Sequence, residues 1–117
     1  MILYYVIYSM ICVWMAGRDA QLLHNKKTVD HLTNALIHIC VASVIGIFYE
    51  WYHFFGILLM ARIVFDTSLN VFRHFNPFYV SPSPSSFVDK VEKKIFGSNG
   101  WLPKLIYFII LLFIWSL

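Results

Sequence analysis

Residues 31–74 read HLTNALIHICVASVIGIFYEWYHFFGILLMARIVFDTSLNVFRH. One bilayer crossing takes about 20 apolar residues, so this stretch is long enough for two. As a single helix it would be roughly 60 Å long, about twice the hydrocarbon thickness. The polar interruption Glu50-Trp51-Tyr52-His53 falls near its middle, and the reading is therefore a helical hairpin. Its apolar background carries His31, Asn34, His38, Arg62, Asp66, Asn70 and Arg73. Ionisable groups are costly in lipid, so side chains of this kind face a protein interior or a water-filled cavity.

Composition points the same way. Of 117 residues, 60% are hydrophobic and only 13% are charged, against about 25% charged in an ordinary soluble domain. A soluble core at this length leaves too much surface exposed to hide so many apolar side chains. Eleven Phe, seven Tyr and four Trp fit a chain whose ends meet the membrane interface. A net charge of +3 with no run of Lys or Arg excludes a nucleic-acid partner. The basic excess fits topology and contact with anionic lipid headgroups instead. Cys12 and Cys40 both lie in apolar runs, and no disulfide framework follows from them.

Outward from the hairpin, residues 1–17 form an apolar run ended by Gly17-Arg18-Asp19. No basic residue precedes it and no small-residue cleavage site follows, so a retained span is expected, not a signal peptide. Residues 17–30 read as a loop or short surface helix, with Thr28 or Asp30 placed to cap the helix after it. Pro77, Pro82 and Pro84 break the chain after the hairpin. In 86–96, Phe87, Val88, Val91 and Ile95 recur at helical spacing, and Asp89, Lys90, Glu92, Lys93 and Lys94 fill the opposite face. Ser86 with Asp89 resembles a capping box, and Gly97 is placed to stop the helix. A short amphipathic helix of this kind belongs at the membrane interface. A last apolar run fills 101–117. The fold expected is an all-α, multi-pass membrane bundle in one integral membrane domain over 1–117. It has about four spans (1–17, 31–50, 53–73 and 101–117) and the interfacial helix 86–96. The basic residues gather in the loops after the first and third spans, which predicts cytoplasmic loops and both termini outside.

Helical projection organises the hairpin's polar residues. His31, His38, Ala42 and Tyr49 share a face on its first helix, and Arg62, Asp66 and Arg73 share one on its second, with Asn70 at the edge. Folding the hairpin about 51–52 brings His38 level with 65–66, Asn34 with Asn70, and His31 with Arg73. An intramembrane polar cluster of His31, Asn34, His38, Arg62, Asp66, Asn70 and Arg73 is expected, with His38 opposite Asp66.

Three uses of that cluster are open. A structural network would pair Arg62 with Asp66 four residues on and satisfy its buried neighbours. A metal-dependent membrane enzyme would draw on His31, His38 and Asp66, although the two imidazoles stand about 10 Å apart along the helix. A proton or ion pathway would use His38 and Asp66, histidine being the side chain that titrates near neutral pH.

Residues 61–97, ARIVFDTSLNVFRHFNPFYVSPSPSSFVDKVEKKIFG, carry Arg62, Asp66 and Asn70 at four-residue spacing, then Arg73, Tyr79 and Asp89. This pattern resembles small integral membrane proteins of tailed phages that infect Bacteroidetes. The resemblance implies a bacterial inner membrane and a host-interaction role, with no activity attached. The expectation is a small membrane protein that acts by helix–helix or partner contact, through a second copy or another membrane protein. No cofactor is implied.

Overall fold

The computed structural model describes residues 2–82, 84 and 86–117. Among them are five helices and no strand: α1 (Ile2–His24), α2 (His31–Phe48), α3 (Tyr52–Phe72), α4 (Phe87–Phe96) and α5 (Trp101–Ser116). The hairpin is α2 and α3, with the turn at 49–51. There Tyr49 N–H still bonds Ile45 O at 3.0 Å, while His53 N–H already bonds Glu50 O at 3.0 Å. The chain therefore reverses with few backbone groups left over.

Local chemistry sets the helix ends. Asp30 caps α2 by accepting from Thr33 N–H at 3.0 Å and from the Thr33 hydroxyl at 2.6 Å. Those bonds favour the carboxylate and hold the Asp30 pKa below its usual value. Ser86 caps α4 by accepting from Asp89 N–H at 3.1 Å, and Gly97 closes it at φ 64°, a conformation glycine adopts without strain. α1 and α3 finish differently. Their left-handed positions are filled by Lys26 (φ 57°) and His74 (φ 61°), where glycine is the usual residue.

α3 is the hub, and α1, α2 and α5 each pack against it. At one end Tyr49 donates to Tyr4 at 2.7 Å and Trp115 sits edge-on to Tyr5, so both chain ends lie beside the hairpin turn. At the other end Asp19 meets Asn34, and Gly17 faces the ring of Phe72. α1 thus runs parallel to α3 and antiparallel to α2. The core between them is Tyr5, Tyr8, Cys12, Ala42, Ile45, Ile57, Met60, Ala61 and Leu111. Gly56 makes room for it, because a Cβ there would stand 2.2 Å from Tyr5 Oη.

One expectation needs correction. The Gly17-Arg18-Asp19 stretch does not end the first helix, which continues to His24 and is roughly 34 Å long at 1.5 Å per residue. Asp19 can stay in it because its charge is buried against partners instead of facing lipid. Of the four expected spans, fewer are evident from helix length and composition. Among the described residues, α2 and α3 are long and apolar enough to cross a membrane, and a third crossing requires counting α4 and α5 together across their 106° bend. Charges in the second half of α1, and the 16 residues of α5, keep those two helices below the same standard.

Candidate functional site

The polar residues of the central stretch fall into separate groups around α3. The largest surrounds Arg62, the middle residue of α3. Its Nε donates to Glu92 Oε1 at 3.1 Å and its Nη2 to Glu92 Oε2 at 2.6 Å, a two-point hold from α4. The same Nη2 donates to Asp89, and Nη1 lies 3.8 Å from Asp66 Oδ1. Lys104 of α5 pairs with Asp66 Oδ2 at 2.8 Å and donates to Pro77 O at 2.6 Å. Tyr107 donates to Glu92 Oε1 at 2.6 Å. Two cations thus face three carboxylates, and α3, α4, α5 and the proline-rich loop are joined at one place. A cavity of about 80 Å³ lies among these groups, bordered by Arg62, Asp66, Arg73, Lys93 and Lys104.

α4 reaches this network in an unusual attitude. None of its residues is buried. Its acidic side chains turn toward α3, while Phe87 is 79% and Ile95 67% exposed. Lys93 completes the hold on the inner side by donating to Ser81 O at 3.2 Å and Pro82 O at 2.5 Å. In water this helix would be inside out. Against lipid it is correctly turned, since apolar side chains belong on the lipid side and charges on the protein side.

A second group lies along α1. Its buried stripe, Tyr5, Tyr8, Cys12, Met15, Ala16 and Asp19, puts three polar groups onto the hairpin. Tyr5 Oη and His53 Nδ1 share a hydrogen bond at 2.9 Å, and Tyr8 Oη and His38 Nδ1 share one at 2.5 Å. Asn34 Nδ2 donates to Asp19 Oδ2 at 2.7 Å, and Arg18 Nη2 donates to Asn34 Oδ1 at 3.1 Å. Asp19 is 1% exposed. Sequence reasoning named Asn34 and His38 but passed over their α1 partners Tyr5, Tyr8 and Asp19, although polar residues at helical spacing along α1 were the signal.

The expected cluster of seven is therefore divided. Arg62 and Asp66 do lie together. Asn34 and His38 belong with α1, and His38 is engaged by Tyr8 where Asp66 had been expected. Asp66 is held by Lys104 and Arg62. Asn70 is buried and donates to Pro77 O at 3.0 Å and Tyr79 O at 3.2 Å, fastening the loop to the end of α3. Arg73 is exposed, with its guanidinium 4.8 Å from the Phe75 ring centre. His31 is exposed at the start of α2. The trio His31, His38 and Asp66 does not assemble as metal ligands. Among the described residues no three His, Cys, Asp or Glu side chains converge as a metal ion requires.

Between α2 on one side and α4 and α5 on the other, over α3, runs an open groove of about 420 Å³. Ile39, Leu58, Phe65 and Val88 make it chiefly apolar, with His38 and Tyr107 among its borders. Comparison with known proteins returns no matching family, no matching curated protein and no matching solved structure, so the function is argued from this geometry alone.

Proposed function

We propose that the protein is a small multi-pass integral membrane protein that acts by lateral contact with another membrane-embedded helix, that of a second copy of the chain. In this reading α1, α2, α3 and α5 each cross the bilayer and α4 lies against the bundle within the lipid boundary. One observation carries it: the sorting of α4, whose acidic face meets Arg62 and whose apolar face turns outward. The same sorting extends over the molecule, with Ile2, Met10, Leu32, Ile47, Phe48, Trp51 and Phe113 all exposed. The basic loops after the first and third spans favour a cytoplasmic position for them, which puts the hairpin turn and both chain ends outside.

Contact is preferred to bond-making chemistry because the central polar groups are already used. Arg62, Asp66 and Glu92 hold one another and their neighbours, and no buried side-chain nitrogen or oxygen among the described residues lacks a partner. A reacting group needs a position open to substrate. One open feature is the groove between α2 and α4, whose apolar walls suit a helix packing by van der Waals contact. Energy transfer between donor- and acceptor-labelled full-length chains in phosphatidylcholine vesicles tests this. Transfer should appear, fall on lipid dilution, and weaken when Ala35→Leu fills the groove it lines. Absence of transfer in the unsubstituted chain contradicts self-association.

The Tyr8–His38 pair favours one second reading, a proton pathway, because a phenol and an imidazole in contact inside a bundle can pass a proton. It predicts proton flux in vesicles that disappears in His38→Ala. No flux in the unsubstituted protein ends that reading.

A further inference from the structure

Resting on the membrane reading above, the geometry points to a site for the headgroup phosphate of an anionic phospholipid at the end of the bundle opposite the hairpin turn. The site is a cavity of about 470 Å³ where α1 and α3 both finish, lined by Gly17, Ala20, Leu23 and Phe72 below and His24, Arg73 and His74 above. Its upper wall offers a guanidinium and two imidazoles, and no carboxylate lines it. Nor does any carboxylate among the described residues pair with these three side chains. This distinguishes them from Arg62, Lys104 and Arg18, each of which has its acid.

Basic residues at helix C-termini commonly serve only to offset exposed carbonyls. Here the backbone has done much of that work. Lys27 N–H bonds Leu22 O at 2.8 Å and Lys26 N–H bonds Leu23 O at 3.0 Å, closing α1. Phe75 N–H bonds Asn70 O at 2.8 Å and His74 N–H bonds Val71 O at 3.0 Å, closing α3 in the same way. Both closures hold a side-chain-bearing residue in the left-handed region, a strain that glycine would avoid. Strain retained against an easy alternative tends to mark a working position. At His74 it fixes an imidazole on the cavity wall.

The lower wall identifies the occupant as a lipid. Leu23 and Phe72 line the same cavity as the guanidinium and the imidazoles, and Phe72 is 46% exposed, so an acyl chain can leave the cavity along the outside of α3. A soluble phosphate would gain nothing from that wall.

The experiment reads relative association of spin-labelled phosphatidylglycerol and phosphatidylcholine with the full-length protein in phosphatidylcholine vesicles. The unsubstituted chain should select phosphatidylglycerol. Arg73→Gln should reduce that selection about fivefold, the loss of one charge-assisted contact to the phosphate, and His74→Gln should reduce it as well. Lys94→Gln removes the same charge from an exposed position on α4 and should leave the selection near its original value. Arg73→Lys, which keeps the charge, should retain most of it and guards against a folding defect. Equal selection in all variants overturns the site, as does full displacement by inorganic phosphate, which would make the ligand soluble. Failure of the chain to enter neutral vesicles would instead overturn the membrane reading.

Discussion

Arg62 in α3 and Glu92 in α4 face each other through two hydrogen bonds, of 3.1 and 2.6 Å, and they anchor a helix that buries none of its own residues. Packing cannot hold α4 where it is. The charge network does, and its strength depends on how dry its surroundings are.

Removal of Arg62 should therefore be severe. Arg62→Gln leaves Asp66, Asp89 and Glu92 with Lys104 as the remaining cation of the network, and losing charge-assisted hydrogen bonds in this half-buried place costs about 2–3 kcal/mol. Thermal unfolding in detergent should shift downward, and amide exchange should rise first in α4. A double-mutant cycle of Arg62→Met with Glu92→Met should give a coupling on the order of 1–3 kcal/mol. Additive effects would mean that the two side chains act independently.

The polar groups of α1 should behave as keys for the hairpin. Tyr8→Phe deletes the hydroxyl that meets His38 and should cost about 1 kcal/mol. Asp19→Ala should cost more, about 2 kcal/mol, because it leaves the buried Asn34 amide without its acceptor. Calorimetry or denaturant unfolding in micelles checks the order. Equal, small effects would show that α1 is held by apolar packing alone.

Gly56→Ala tests the close approach of α1 to α3. A Cβ placed 2.2 Å from Tyr5 Oη forces that ring and its bond to His53 aside, and overpacking of this kind costs about 1–3 kcal/mol. Combining it with Tyr5→Phe should cost less than the sum of the two, since the clashing oxygen is gone.

The cap of α2 predicts a pH effect. The Asp30 pKa is lowered on folding by the Thr33 bonds, so its contribution is present above the unfolded value of 3.8 and fades as pH falls through the lower folded value. Protection of the Thr33 and Asn34 amides, taken relative to the intrinsic exchange rate at each pH, should fall below about pH 4. In Asp30→Asn, which caps without titrating, that loss should be absent.

Much of this architecture was legible in the residues, for a physical reason: hydrophobic period and helix caps are local. The hairpin, the Asp30 and Ser86 caps and the Gly97 stop needed only neighbours within a few positions. The destination of a polar group is not local. Arg18-Asp19 looked like the end of a span because nothing nearby could satisfy Asp19, whose partner Asn34 arrives from another helix. Projection put Arg62 and Asp66 on one face, and depth matched that face to His38. Neither could show that α4 and α5, bent back by the proline-rich loop, would fill it first. Tyr8 then took His38 from the other side.

The most direct test concerns how α4 sits. Nitroxide labels at Phe87→Cys, Val91→Cys and Ile95→Cys, which leave Asp89 and Glu92 in place, in a background where Cys12 and Cys40 are replaced, report oxygen and nickel-complex accessibility in phosphatidylcholine vesicles. An apolar face turned to lipid gives high oxygen and low nickel accessibility at 87, 91 and 95. High nickel accessibility at 87, 91 and 95 would place the apolar face of α4 in water and contradict the membrane reading.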